Sequence, residues 1–272
     1  MIVRYDGTRY FGWEHQPGKE TVQGKLETVL SRLAEGNFLK DGSDVGPGRS
    51  EADGQKDDGG KPDRFEPPLI EVIGAGRTDA GVHAEGMCCH FRIDMDRSPD
   101  ELRELMNRYL PEDIAVVKLT EASDRFHARY NATGKTYRYT IYNGTAKPVF
   151  DRKYVWHVAE KLHLEKMKET AAVLCGKHDF AAFCKAAGKN KSTIRNVDKI
   201  DIRQKGEYLI LEFHGDGFLR NMVRILTGTL VAVGKGELDA DQVRILMEEG
   251  DRRKAPPTAP AQGLCLMKVD YE

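Results

Sequence analysis

An arginine and an aspartate stand two residues apart, Arg77 and Asp79, inside the run Ile-Gly-Ala-Gly-Arg-Thr-Asp-Ala-Gly-Val-His-Ala that extends from Ile73 to Ala84. A carboxylate beside a guanidinium can keep its charge in a closed site and act on a substrate as nucleophile or base. The apolar stretch Leu69–Ile73 before it is short enough for a buried strand, and Gly74, Gly76 and Gly81 permit positive φ and close backbone approach. Asp79 is therefore expected at a strand end, where loops carry chemistry. The plainer alternative is an Asp that satisfies its own turn through a side-chain hydrogen bond, and the residues alone leave the two in balance.

Two phosphate-binding motifs are excluded. The third glycine of G-x-G-x-x-G falls on Asp79, and Met87–Ile93 beyond it reads as a strand where a dinucleotide site needs a helix. Gly134-Lys135-Thr136 lacks the glycine that a P-loop needs five residues earlier, because that position is Arg129. The five cysteines, at positions 88, 89, 175, 184 and 265, form no C-x-x-C and have no His at ligand spacing. Neither a metal site nor a disulfide framework is expected, and no cofactor is called for.

With 272 residues, 40% hydrophobic and 31% charged, the chain can bury a sizeable core. Its net charge of −1 does not suggest general nucleic-acid binding. Residues 40–66 hold eight acidic and five basic side chains, however, which leaves the remainder at +2. RNA binding would have to come from local patches. No apolar run approaches the roughly twenty residues that span a bilayer, and the sequence opens into a strand without a leader pattern, so a reduced cytoplasmic setting is expected.

Residues 37–67 are rich in Gly, Asp and Pro and nearly free of large apolar side chains, the composition of a flexible insertion. Around it the first half reads as strands at Ile2–Tyr5, Leu69–Ile73, Met87–Ile93 and Ile114–Leu119, with helices at Thr21–Ala34 and Pro99–Tyr109. Val22, Leu26, Val29, Leu30 and Leu33 make one face of the first helix, and Ser98 with Glu101 makes a capping box for the second. The second half reads as strands at Thr136–Tyr142, Ile194–Arg203, Tyr208–His214 and Leu264–Val269, with helices at Leu164–Leu174, Leu219–Val233 and Ala240–Glu248. The order β-α-β-β-α-β occurs twice. The expected class is α+β: two ferredoxin-like lobes, residues 1–125 and 126–272, forming one continuous, mainly antiparallel sheet with a central cleft.

The segment Gly74–Ala84 resembles the signature of the tRNA pseudouridine synthase A family. Val3–Glu27, Phe126–Asn143, Gly176–Phe183, Gly217–Gly236 and Ala259–Val269 are similar to that family's further motifs, in the expected order. The likeness spans nearly the whole chain and breaks at the insertion. It independently implies a two-lobe pseudouridine synthase fold and an isomerase that converts uridine to pseudouridine at positions 38, 39 and 40 of the tRNA anticodon stem-loop. A homodimer, with one tRNA spanning both subunits, is implied as well.

The reaction detaches uracil from ribose C1′ and rejoins it through C5, which needs a carboxylate but no metal or redox group. By resemblance that carboxylate is Asp79, whether it adds to C1′ or assists a glycal route. Arg224 matches the arginine that pairs with it, and Arg77 the signature arginine that helps position the nucleotide. Tyr137 matches the active-site tyrosine that stacks on the base, and Leu264 the apolar residue lining the uracil pocket. Tyr139 shares the Tyr137 face, and its plain alternative is a core residue. His83 and His127 are each either a structural histidine or a substrate contact. Arg4, Arg9 and Lys19 near the start, and Lys185, Lys189, Lys191 and Arg195, are candidate phosphate contacts or simply solvated charges. One departure touches a motif: Glu14 stands where the family usually has Gln, adding negative charge near the presumed RNA surface. The alternative function is a non-catalytic RNA-binding module, which would not need a paired carboxylate; the same chemistry at another tRNA position is a third reading.

Overall fold

The computed structural model describes residues 1–35, 70–185 and 192–272. The expected insertion, together with Lys189 and Lys191, lies outside the described residues. Among the described residues ten strands form one mostly antiparallel sheet and five α-helices accompany it, a mixed α/β architecture.

In the first half, β1 (Ile2–Tyr5) lies between β4 (Ile114–Lys118) and β3 (His83–His90), and β2 (Ile73–Gly74) pairs with the far end of β3. Helix α1 (Val22–Ala34) buries the stripe Val22, Leu26, Val29, Leu30 and Leu33, and the Thr21 hydroxyl accepts the Gly24 N–H at its start. Helix α2 (Pro99–Tyr109) carries the capping box formed by Ser98 and Glu101. In the second half, β10 (Leu264–Tyr271), β5 (Ala132–Tyr142), β9 (Tyr208–Gly215) and β8 (Ile194–Lys205) are successive neighbours, and β7 (Gly176–Asp179) adds at the edge. The short β6 (Trp156–His157) pairs with β5. Helices α3 (Leu164–Leu174), α4 (Met222–Lys235) and α5 (Ala240–Glu249) complete the chain.

The halves join where β10 runs parallel to β3, Cys265 opposite His83 and Leu266 opposite Ala84. Tyr139, Ile141, Leu211 and Phe213 from β5 and β9, with Leu26, Leu30, Met87 and Met106, are fully buried in one continuous core. Helix α4 is buried almost all round: only Arg224 and Lys235 are not. A helix apolar on every side belongs in an interior, so its one buried-turn arginine must have a partner.

Several boundaries differ from expectation for identifiable reasons. Leu69 lies outside the described residues, and of the strand expected over Leu69–Ile73 the described part is strand only at Ile73, continuing to Gly74, because the Val72 N–H donates to the Glu27 carboxylate of α1 at 3.0 Å and not to a neighbouring strand. β3 begins at His83, ahead of the expected Met87, where β10 pairs with it. α4 begins at Met222 and not Leu219, because Asn221 is left-handed at φ 63°. β6 and β7 were not expected. Among the described residues no helix is long and apolar enough to cross a membrane, and all five cysteines are free thiols.

Candidate active site

Asp79 sits on the loop between β2 and β3, held from beneath by the opening segment of the chain. Trp13 N–H donates to Thr78 O at 3.1 Å, Gly81 N–H donates to Tyr10 O at 3.3 Å, and the Thr78 and Tyr5 hydroxyls share a hydrogen bond of 2.9 Å. Of the three glycines that permit positive φ, only Gly81 adopts it, at 78°. Gly74 serves close approach instead: a Cβ there would fall 2.6 Å from the Trp13 indole. The loop is thus rigid on its protein side while the Asp79 side chain remains 29% exposed.

Among the described residues, the Asp79 carboxylate bonds to Arg224 and not to its own turn. Arg224 Nη1 donates to Asp79 Oδ2 at 3.1 Å, and Arg224 Nε donates to Ala259 O at 2.8 Å. Ala259 N–H in turn donates to the Arg224 carbonyl at 3.1 Å, so the segment before β10 holds both the backbone and the guanidinium of Arg224. With Arg224 only 15% exposed, its charge acts on Asp79 through less water than a surface pair would.

The third group arrives on β5. Tyr137 stands opposite Leu266 of β10 and Phe213 of β9, its ring edge-on to Phe218 at 5.3 Å. Burial, and then the negative charge of Asp79, push its hydroxyl well above the usual tyrosine range, so it stays protonated beside the carboxylate. Tyr139, on the same face, is fully buried and donates its hydroxyl proton to Pro260 O at 2.7 Å. It therefore braces the segment that holds Arg224. Leu264 lies opposite Tyr139 in the ladder and is buried.

The other motif residues fall around this centre. Arg77 does not turn toward Asp79; its guanidinium pairs with Glu14, both side chains being exposed. His83 is buried: Nδ1 accepts the Gly7 N–H at 3.0 Å with Asp6 Oδ1 3.1 Å away, and Nε2 lies 3.1 Å from Lys153 O and 3.2 Å from Gln262 O. It ties three chain segments together below the loop. His127 Nδ1 accepts the N–H groups of Arg129 and Tyr130, each at 3.2 Å, and the exposed Tyr130 ring lies against it at 4.2 Å. Both histidines are thereby engaged in holding backbone.

A family model described as tRNA pseudouridine synthase matches residues 1–131 and 170–272. A tRNA pseudouridine synthase A of Bacillus sp. (strain KSM-64) is 39% identical over 272 residues, covering 100% of this chain and 98% of the relative. One from Syntrophotalea carbinolica is 38% identical over 271 residues, covering 100% and 95%. A tRNA pseudouridine synthase A 2 of Clostridium perfringens is 35% identical over 271 residues, covering 100% and 98%.

The chain belongs to the tRNA pseudouridine synthase family. It is accordingly an isomerase that converts uridine to pseudouridine in tRNA. For a tRNA pseudouridine synthase, the basic residues expected to meet phosphate divide into two groups. Arg4 is paired with Glu85 at 2.5 Å, and Arg9 with Asp113 and with Glu20 at 3.3 Å. Lys19 lies 3.3 Å from the Gln16 side-chain oxygen. Among the described residues Arg195 bonds only to backbone carbonyls, of Ser192 at 3.2 Å and Ile194 at 2.6 Å, and Lys185 is exposed.

Sequence reasoning missed three positions in this synthase. Glu27 is a buried carboxylate that receives Val72 N–H and Gln23 Nε2, at 3.0 and 2.9 Å, and so fixes the approach to the Asp79 loop. Its only signal is its place beside Leu26 on the apolar stripe. Phe218 packs on Tyr137, and Lys135 donates to Ala75 O at 2.9 Å. Among the described residues no group of three or more His, Cys, Asp or Glu could hold a metal ion.

Proposed function

We propose that Asp79 is the nucleophile with which this synthase isomerises uridine to pseudouridine at positions 38, 39 and 40 of the tRNA anticodon stem-loop. The observation that carries this reading is the 3.1 Å pair between Asp79 and Arg224, in a position where the carboxylate still reaches solvent. In the reaction the N1–C1′ bond breaks, the base turns, and a C5–C1′ bond forms; C5 loses its proton and N1 gains one. Asp79 adds to C1′ as the base departs and is released when C5 attacks. Arg224 holds the carboxylate in place as RNA closes over it. The Tyr137 ring stacks on the base, and its protonated hydroxyl is at hand for the proton shift at C5. Leu264 lines the uracil pocket, and Arg77 positions the nucleotide once freed from Glu14.

The remainder of the reading concerns the frame. We take each half, residues 1–125 and 126–272, as a ferredoxin-like lobe, supported by the neighbour orders β4-β1-β3-β2 and β10-β5-β9-β8. The parallel seam between β3 and β10 would then make the cleft floor that holds Asp79. RNA is recognised by shape and phosphate contacts along that cleft. A homodimer in the reducing cytoplasm is the working form, the latter supported by five free thiols.

Mapping pseudouridine by chemical labelling and primer extension in an unmodified tRNA transcript tests the assignment. Modification at positions 38 to 40 is expected; modification confined to another region would overturn the positional claim.

A further inference from the structure

A group of cations stands beside the active site, and among the described residues none of them is ion-paired, although Glu14 and Glu71 line the same cavity as Arg129. Lys135 precedes Tyr137 by two residues on β5, so the two side chains leave the same face of the strand. Its ammonium donates to Ala75 O at 2.9 Å and lies 3.2 Å from where a Cβ on Gly76 would be, so it rests directly on the Asp79 loop. An ammonium has three donors, and one is used here. Arg195 approaches from β8. Lys135 pairs with Gly215, which pairs with Val197, two residues from Arg195. Arg195 Nε stands 3.7 Å from the position a Cβ on Gly217 would take. Arg129 comes from the turn before β5, where it lines a cavity of about 230 Å³ together with Arg77, Glu14, His127 and Tyr130.

Burial, and then the charges of Arg129 and Arg195, lower the pKa of the Lys135 ammonium, so each of the two arginines acts electrostatically on the same loop-facing lysine. Elsewhere on the sheet Arg138 and Arg203 are matched by Glu212. Here, among the described residues, none of the three is ion-paired. Asp216, next to Gly217, accepts the Asn196 N–H on its Oδ1 at 3.1 Å. Three like charges gathered without a counterion repel one another unless an anion enters between them. Two guanidinium forks and a point charge with free donors suit the oxygens of a phosphodiester.

We propose that Lys135, Arg129 and Arg195 form a seat for the RNA backbone phosphate flanking the nucleotide on which Asp79 acts. The proposal rests on the reading of Asp79 given above and adds three residues to it, of which Arg195 is already a candidate phosphate contact in the sequence. Anchoring the backbone on the lysine that touches the Asp79 loop sets the distance between the strand and the carboxylate.

The test is the affinity for an unmodified tRNA transcript over a series of KCl concentrations, for wild type, Lys135→Gln, Arg129→Gln and Lys135→Arg. Each neutral variant is expected to bind roughly five- to tenfold more weakly, and to lower the slope of log affinity against log salt by about 0.7 to 0.9. Lys135→Arg should keep the wild-type slope. The Arg129 side chain makes no hydrogen bond among the described residues, so its variant reports on charge without disturbing the fold. Wild-type slopes in both neutral variants would overturn the seat, as would an equal fall in Lys135→Arg, which would indicate a distorted loop. Tritium release from C5-labelled uridine, measured on the same preparations, separates the two readings. A wild type that binds with the expected slopes but releases nothing would overturn the reading of Asp79 and leave the phosphate contact in place.

Discussion

Arg224 and Asp79 are 145 residues apart in the chain and joined by a 3.1 Å hydrogen bond in the fold. Because Ala259 holds the arginine through two backbone hydrogen bonds, the guanidinium is set before substrate arrives. Preorganised charge of this kind, once removed, commonly lowers turnover by 10²–10³. Arg224→Ala is expected to reduce kcat roughly 100-fold or more. Partial exposure of Asp79 limits the loss of stability to roughly 1–2 kcal/mol. Steady-state kinetics with thermal unfolding checks both, and turnover at the wild-type level would remove the ion-pair argument.

Glu14 occupies the exposed guanidinium of Arg77 in the free protein. An exposed pair is worth about 1 kcal/mol at most, so tRNA phosphate can displace it, but at some expense in affinity. Glu14→Gln should tighten tRNA binding by roughly two- to fivefold and leave Tm unchanged. Weaker binding would mean that Glu14 positions Arg77 for the substrate and does not compete for it.

The local elements were legible in the sequence because their causes are local. The α1 stripe, the Ser98 and Glu101 capping box, and the β8–β9 turn at Gly206, φ 61°, each follow from residues within one or two turns of one another. The seam that sets the two halves side by side was not, since Cys265 and His83 meet without any signal in either neighbourhood. The same holds for Lys135, whose partner Ala75 is 60 residues away, and for Arg77, whose nearest carboxylate by sequence is Asp79 but whose partner is Glu14. Asp79 and Arg224 were singled out through motif resemblance; spacing alone left Asp79 in balance with a turn residue and favoured a surface position for Arg224. Lone histidines were ambiguous for a related reason: only the fold shows that the Gly7 N–H ends on His83.

His83 is expected to matter for stability more than for chemistry. Its removal leaves the buried Gly7 N–H without its acceptor, a loss of roughly 1–3 kcal/mol. His83→Ala should lower Tm by roughly 3–10 °C in a chain of this size, with turnover at 25 °C reduced less than tenfold. An unchanged Tm with collapsed turnover would make His83 a substrate contact.

Acid stability should depend on Asp113. Burial alone would raise its pKa, but hydrogen bonds from Arg9 and Tyr10 outweigh burial and hold the carboxyl below its ordinary value. A carboxyl depressed in the folded state stabilises the fold above its unfolded pKa of about 4. That contribution is lost as pH falls through the folded value. Asp113→Asn should start with a lower Tm at pH 7 and lose less of it than wild type between about pH 4 and pH 2. Parallel Tm curves over that interval would show that the Arg9 and Tyr10 contacts carry no net stabilisation.

The central claim is that Asp79 performs the chemistry, and tritium release from a tRNA transcript labelled at uridine C5 tests it most directly. Wild type should release tritium, whereas Asp79→Asn should bind the same tRNA and release none. Release by Asp79→Asn at the wild-type rate would contradict the account.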